Sequence, residues 1–182
     1  MKVIETSLRG VFVIELDKYA DDRGFFQEIW NHRRYGQMGL NLEFVQDNLS
    51  FSHNRVIRGL HFQNPSPQGK LISVLQGKIL DVAVNIQIES QQFRNWFSIE
   101  LSSENNTQLY VPPGFAHGFI VLSQSALVNY KCTSLYNKDH ENSILWSDPA
   151  IGIDWPVKNP ILSDRDKNAS LIQDIDTDLL IF

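Results

Sequence analysis

Short apolar runs separated by turn residues fill the chain from residue 44 to residue 136, and they constrain its fold more than any other feature. Asn64-Pro65-Ser66-Pro67, Gln76-Gly77-Lys78 and Pro112-Pro113-Gly114 are typical of the separators. Many short strands at regular spacing, with no helices between them, indicate an antiparallel sandwich or barrel rather than an α/β fold. We therefore predict an all-β domain. The apolar runs are residues 44–45, 56–60, 71–75, 79–88, 96–101, 108–111, 116–122 and 126–136.

The segments on either side of this region are less regular. Residues 3–16 predict two short strands interrupted at Gly10, and residues 25–30 predict another strand. Asn31 can cap a short helix over residues 32–38, which Gly39 would end. From about residue 140 we expect an extended tail over the body, and residues 169–182 predict a short helix. With 182 residues, the whole chain is predicted to form one domain.

Charge and cysteine content narrow the partners and the compartment. The formal net charge of −5 gives no general attraction to nucleic acid or to an anionic membrane, so neither is an expected partner. A single cysteine, Cys132, permits neither an intrachain disulfide nor a zinc site built from cysteines. No apolar stretch reaches membrane-spanning length. A cytoplasmic location is the simplest expectation.

The segment Arg58-Gly59-Leu60-His61-Phe62-Gln63 is the centre of the functional interpretation. Polar and apolar residues alternate along it, as in a half-buried strand with one polar face. If that face lines a barrel interior, His61 lies in a pocket. Its imidazole would then be either an acid–base group or a core histidine bonded to the backbone, and the strand alone leaves both open.

The other polar residues favour a small anionic ligand over a metal ion. His61 has no second histidine two residues away, and His117 alone would make a poor metal site, so no metal is predicted. Arg58 is costly to bury unless it meets an anion, and Arg23 and Lys70 could converge on the same pocket to bind phosphate. Tyr130 and Tyr136 supply phenols in a strand pattern, and a phenol facing a reacting carbon can deliver a proton.

Seven motifs between residues 22 and 166 resemble one enzyme family, the dTDP-4-dehydrorhamnose 3,5-epimerases, and the resemblance as a whole covers the chain from about residue 5 to residue 171. One such motif would be weak evidence, but all seven occur in the same order. They are Asp22-Arg23-Gly24-Phe25-Phe26-x-Glu28, Gln46-Asp47-Asn48-x-Ser50, Arg58-Gly59-Leu60-His61, Gln68-Gly69-Lys70-Leu71, Pro113-Gly114-Phe115-Ala116-His117-Gly118-Phe119, Tyr130-Lys131-Cys132-Thr133 and Leu162-Ser163-x-x-Asp166.

The resemblance implies a cupin-like jelly-roll with a few short helices, without metal or cofactor. It implies a homodimer that exchanges N-terminal strands and a substrate that is a 4-keto-6-deoxyhexose on a dTDP carrier. The C4 ketone acidifies the protons at C3 and C5. A base can then form an enolate, and reprotonation from the other face inverts the centre.

The motif matches also assign roles. His61 would be the base, Asp166 the carboxylate that orients it, Tyr130 the acid and Lys70 the donor to the enolate oxygen. Asp164 lies two residues from Asp166 and is a second candidate for the partner of His61. The remaining expected substrate-binding residues are Arg23, Glu28, Gln46, Asn48, Arg58, Gln63, His117, Tyr136, Glu141 and Lys167.

The chain departs from the family pattern at two places, and three rival functions remain open. Asn85 and Gln87 replace an Asp/Arg pair, which we interpret as the joint loss of a structural ion pair. Asn54-Arg55 replaces a turn that commonly holds glycine, and Asn54 is expected to take the left-handed conformation. The rivals are an epimerase acting at C3 or C5 only, a metal-dependent cupin, and a non-catalytic nucleotide-sugar binding protein.

Overall fold

The computed structural model describes all residues from 1 to 182 and is built mainly from β-strands. Two α-helices are present, α1 (His32–Gln37) and α2 (Asp164–Lys167), with short 3₁₀ helices at Lys138–His140, Ile172–Asp174 and Thr177–Leu180. The strands are β1 (Lys2–Glu5), β2 (Phe12–Glu15), β3 (Tyr19–Asp21), β4 (Gly24–Phe26), β5 (Gln46–His53), β6 (Ile57–Gln63), β7 (Lys70–Gln76), β8 (Lys78–Asn85), β9 (Trp96–Ser102), β10 (Thr107–Val111), β11 (Phe115–Val121), β12 (Ser125–Cys132) and β13 (Glu141–Ser143).

Two antiparallel sheets form the body. The first has six strands in the order β1-β2-β10-β7-β12-β5, and the second has five in the order β13-β6-β11-β8-β9. Strands β3 and β4 form a hairpin that joins neither sheet. Apart from β1-β2 and β8-β9, neighbouring strands in each sheet are not consecutive in sequence, as in a jelly roll, and the predicted all-β, cupin-like fold is confirmed.

The interior between the sheets is closed by side chains that alternate along each strand. Ile72 and Val74 from the first sheet meet Ile79, Ala83 and Phe119 from the second in one apolar cluster. Successive side chains of a strand point to opposite faces. A residue two positions along the strand from one of these core residues therefore also points inward. This rule places Lys70, Asp81, His117, Tyr130 and Cys132 on the inner faces.

The outer face of each sheet is covered by a different end of the chain. Helix α1 and the residues around it cover the first sheet, where Tyr35 and Leu40 pack with Leu71 and Tyr110. The C-terminal tail covers the second sheet, where Ile144, Ile151, Trp155, Ile172 and Leu180 pack against outward residues of β6, β8 and β11. The tail therefore passes directly behind the strand that carries His61.

The predicted helix after Asn31 is confirmed, but the strand predicted for residues 25–30 is wrong in its second half. The Asn31 side chain accepts from the backbone N–H of Arg34, as an N-cap does. Strand β4 ends at Phe26, and Trp30 instead packs its ring 4.5 Å from that of Tyr35 and 4.6 Å from that of Phe44. Aromatic packing against the helix overrides the local strand preference.

Two further local predictions need correction. Residues 169–182 form two 3₁₀ turns rather than one helix, because Ile172 and Leu180 are anchored separately in the tail cluster. In the turn before β6, Arg55 rather than Asn54 has a left-handed backbone, with φ of 63°. The Asn54 side chain instead donates to the carbonyls of Leu122 and Ser123. None of the helices is long and apolar enough to cross a membrane.

Candidate active site

His61 and Asp166 meet at one end of the interior although 105 residues separate them in the chain. The His61 Nε2 lies 2.6 Å from Asp166 Oδ1, and the carboxyl side chain is only 4% exposed. Asp164, the alternative partner, is 96% exposed and pairs with Lys167. Burial alone would raise the pKa of Asp166. The hydrogen bond and charge of His61, together with hydrogen bonds from Ser163 and from the Gly59 N–H, outweigh burial, so the pKa of Asp166 is lowered.

A second imidazole–carboxylate pair lies beside the first. His117 on β11 is the cross-strand neighbour of His61 on β6. Its Nε2 is 2.9 and 3.0 Å from the two carboxylate oxygens of Asp81, a residue with no solvent exposure. Each histidine thus has Nε2 bonded to a carboxylate and makes no hydrogen bond through Nδ1 within the chain. A carboxylate on Nε2 leaves Nδ1 of a neutral imidazole as the acceptor.

Lys70 faces these pairs from the first sheet. The residue is half-buried, and its ammonium group makes neither a hydrogen bond nor an ion pair within the chain. Burial lowers its pKa below 10.5, partly opposed by Cys132, Glu141 and Asp81. An ammonium group without a partner in a desolvated site is available to an anionic atom of a ligand.

Tyr130 lies on the same sheet as Lys70, with its ring against the apolar cluster. Burial raises the pKa of its phenol, and Cys132 and Glu141 raise this pKa further. The positive charge of Arg58 partly opposes the shift. The phenol is therefore protonated at neutral pH and can donate. Arg58 on β6 is exposed, and its Nε donates to Ser52 Oγ on β5 at 2.8 Å.

Strand β5 and the loop after β12 line the rim of the same end. Gln46 Nε2 donates to Asn48 Oδ1 at 2.9 Å, and Gln46 Oε1 accepts from the Tyr136 backbone N–H. Tyr136 is half exposed, and its hydroxyl donates to Glu141 Oε2 at 2.8 Å. Burial would raise the pKa of Glu141, but Arg165 and Tyr136 together lower it. These four predicted binding residues are thus brought together.

Four other predicted binding residues have different surroundings. Gln63 uses both amide hydrogens on the Ser66 and Leu135 carbonyls, and its oxygen accepts from the Asn137 N–H. These bonds give Gln63 a role in holding loops, and its contact with substrate stays a prediction. Lys167 is exposed and pairs with Asp164. Glu28 binds Arg34 beside α1, and Arg23 lies at the tip of the β3–β4 hairpin.

The structure does not bring Arg23 and Glu28 to His61 of the same chain. The Arg23 side chain is 90% exposed and its only ionic partner is the neighbouring Asp21. The expected convergence of Arg23 with Lys70 in one pocket is not seen within a single chain, in which the hairpin joins neither sheet.

Sequence reasoning missed two residues of this end of the molecule. Asp81 could have been found, because it is a lone carboxylate at an inward position between Ile79 and Ala83 of an apolar strand. Arg165 gave no such signal, since it lies in an irregular segment without periodicity. Among all residues, no three His, Cys, Asp or Glu side chains form a group suited to hold a metal ion.

Comparisons with known proteins identify the family of this chain. The model of the family described as dTDP-4-dehydrorhamnose 3,5-epimerase matches residues 5–174. The dTDP-4-dehydrorhamnose 3,5-epimerase of Shigella flexneri is 47% identical over 97% of this chain and 98% of its own length.

Two similar solved structures contain ligands. The dTDP-6-deoxy-D-glucose-3,5-epimerase of Legionella pneumophila, in complex with dTDP-4-keto-L-rhamnose, is 45% identical with a TM-score of 0.95, covering 99% of this chain and 97% of that one. The Bacillus anthracis dTDP-4-dehydrorhamnose 3,5-epimerase, with TDP and PPi bound, is 46% identical with a TM-score of 0.91, covering 93% and 98%. The family predicted from the seven motifs is thereby confirmed: this chain belongs to the dTDP-4-dehydrorhamnose 3,5-epimerases.

Proposed function

We propose that this protein epimerises C3 and C5 of dTDP-4-dehydro-6-deoxy-D-glucose to give dTDP-4-dehydro-L-rhamnose, a step of dTDP-L-rhamnose synthesis. The observation that carries the proposal is the His61–Asp166 pair, with its free Nδ1 in the interior that also contains Lys70 and Tyr130. A binding protein has no need of an imidazole, a phenol and an unpaired ammonium group in one desolvated site.

In the proposed mechanism, His61 Nδ1 removes the proton from the carbon next to the C4 ketone. Asp166 accepts from Nε2, which fixes the tautomer and balances the imidazolium charge. The electrons move onto the ketone oxygen, and the Lys70 ammonium stabilises the resulting enolate. All of these steps use groups of the chain itself.

Inversion requires that the returning proton arrive from the other face of the sugar. His61 belongs to the five-stranded sheet and Tyr130 to the six-stranded sheet, so the two groups approach the interior from opposite walls. The raised pKa of Tyr130 keeps its phenol protonated until it donates to the enolate carbon.

The rim residues would bind the nucleotide. Arg58, Gln46 and Asn48 offer a guanidinium and two amides to the diphosphate, and Tyr136 offers an exposed ring to the thymine base. Support for this class of ligand comes from the solved relatives that contain dTDP-4-keto-L-rhamnose or TDP. We place the reaction in the cytoplasm, as predicted from the sequence.

We further propose a homodimer in which the β3–β4 hairpin reaches the partner's site. The hairpin exposes 61% of Tyr19, 62% of Phe25 and 70% of Phe26, and such a concentration of exposed aromatic side chains favours a protein partner. Strand β1 pairs with β2, and β2 pairs with β10 of the same chain, so we propose that exchange is confined to the hairpin. Arg23 at its tip would then bind the diphosphate in the partner's site.

The test is solvent deuterium incorporation into dTDP-4-dehydro-6-deoxy-D-glucose, followed by NMR in the presence of a chelator. Label at both C3 and C5 is expected, and His61→Asn should abolish it while preserving binding of the nucleotide. His53→Asn, which removes an exposed histidine of β5, is the matched control and should retain full activity.

Three other outcomes would favour the rival functions. Label at one carbon only would make the protein a single-centre epimerase. Activity that disappears with the chelator would indicate a metal-dependent enzyme. Absence of label from the wild-type protein, with the nucleotide sugar still bound, would leave a binding protein. Undiminished exchange in His61→Asn would disprove the assignment of the base.

A further inference from the structure

The carboxylate that orients His61 is carried by a helix too short to hold itself in place. Helix α2 has four residues, and Asp166 is the buried one among them. An isolated helical turn is unstable in water, so contacts with the rest of the protein must fix its position. The 2.6 Å distance between Asp166 and His61 therefore depends on how α2 is attached.

Arg165, the residue before Asp166, attaches the helix to β13. Its Nε donates to Ser143 Oγ at 2.8 Å, and its guanidinium also forms an ion pair with Glu141. Strand β13 pairs with β6, and in this register Ser143 lies opposite His61. Consecutive residues of α2 thus hold neighbouring strands: Arg165 holds β13 and Asp166 holds β6.

We propose that Arg165 is a positioning residue, which clamps α2 to β13 and so keeps the Asp166 carboxylate against His61. The proposal rests on the function proposed above, in which Asp166 serves the catalytic base. The same Glu141 oxygen accepts from the Tyr136 hydroxyl and from Arg165. The Glu141 carboxylate therefore connects the clamp to Tyr136, one of the predicted nucleotide-binding residues at the rim.

Apart from the Asp166 carboxylate, which also accepts from the backbone N–H of Gly59 on β6, the other attachments of this segment lie outside α2. Backbone bonds join Ile161 to Arg55 and Ile57 on one side, and Ser170 to Leu145 on the other. The Ser163 side chain caps the helix from within. Because these contacts hold the flanks, and Arg165 is the one side chain of α2 besides Asp166 that bonds to a strand, loss of Arg165 is expected to displace Asp166 without releasing the tail.

The decisive measurement is the proton of the His61–Asp166 hydrogen bond, observed by NMR without substrate. A short imidazole–carboxylate bond gives a far-downfield resonance, which is assigned by its absence from His61→Asn. Arg165→Met should lose or broaden this resonance and lower kcat about tenfold, the size of loss that follows from disturbing a supporting contact of a site. Arg165→Lys, which keeps the positive charge, should recover part of the resonance intensity and part of kcat.

Asp164→Asn is the matched control, since it removes an exposed charge from the same helix without touching the clamp. It should leave the resonance and kcat unchanged. An undisturbed resonance in Arg165→Met would overturn the proposal whatever its activity, because the bond would then form without the clamp. If Arg165→Met does not fold, an unchanged resonance in Arg165→Lys, which cannot reproduce the Nε contact with Ser143, would overturn it equally.

These results separate the clamp from the proposed reaction. A resonance that depends on Arg165, in a protein that exchanges no deuterium, would support the clamp and refute the epimerase. Normal deuterium exchange, together with a resonance that does not depend on Arg165, would support the epimerase and refute the clamp.

Discussion

Lys70→Met is the substitution that best tests the electrostatic part of the proposed site. The methionine side chain has nearly the length of lysine but no charge. Lys70 is half-buried and makes no ion pair or hydrogen bond within the chain, so its removal leaves no partner group unsatisfied. The change should therefore affect the reaction and spare the fold.

The expected effects on activity and on stability have opposite signs. Loss of one donor to a developing oxyanion lowers kcat by about 10²–10³, which is about 2.7–4 kcal/mol of transition-state stabilisation. Removal of a desolvated charge leaves stability unchanged or increases it by up to about 2 kcal/mol. A less active but equally stable protein would indicate that the ammonium group is retained for chemistry.

The pH dependence follows from the lowered pKa of Lys70. Since burial depresses this pKa below 10.5 in the folded state, the folded protein loses the proton before the unfolded chain does. Between the folded-state pKa and 10.5 the unfolded state binds more protons, so the contribution of Lys70 to stability rises with pH. Activity should fall over the same window, because the neutral amine stabilises an enolate poorly.

The assay is the initial rate of epimerisation across neutral to alkaline pH, with the free energy of unfolding measured by urea denaturation at each pH. Lys158→Met, which removes an exposed lysine that has no ion pair, serves as the control and should match the wild type. A Lys70→Met enzyme within about threefold of wild-type kcat would refute the proposed role, since a lost oxyanion donor costs far more.

Two further predictions concern the packing of β6 and the proposed dimer. Gly59→Ala should lower the free energy of unfolding by at least about 3 kcal/mol in denaturant titration, because a Cβ there would lie 2.5 Å from Gly118 Cα at a φ of +124°. Gly39→Ala, where φ is +88° and a Cβ would meet nothing within 4 Å, should cost only the backbone strain, and equal losses would disprove the clash. Mixing and re-equilibrating Arg23→Ala with His61→Asn should restore about a quarter of wild-type activity, since half of the dimers are mixed and each holds one intact site. No recovery would show that Arg23 does not act in the partner's site.

The strands, the capped helix and the inward direction of His61 could be predicted from sequence because each is a local property. Alternation with a period of two depends only on neighbouring residues, and it correctly assigned polar residues to one face of β6. The same rule would have identified Asp81. Trp30 and the last fourteen residues were mispredicted because distant aromatic and aliphatic partners, not local preference, decide their conformation.

The sequence alone determined that the chain forms many short strands in which polar and apolar residues alternate. Through seven motifs, it also determined the family to which the chain belongs. Only the tertiary structure decided that Asp166 rather than Asp164 meets His61, that Asp81 holds His117, and that Arg23 is exposed with Asp21 as its ionic partner. The physical reason is that these contacts join residues brought together by sheet closure and by the path of the tail. Such pairings depend on the packing of the whole chain, which the pattern of neighbouring residues does not record.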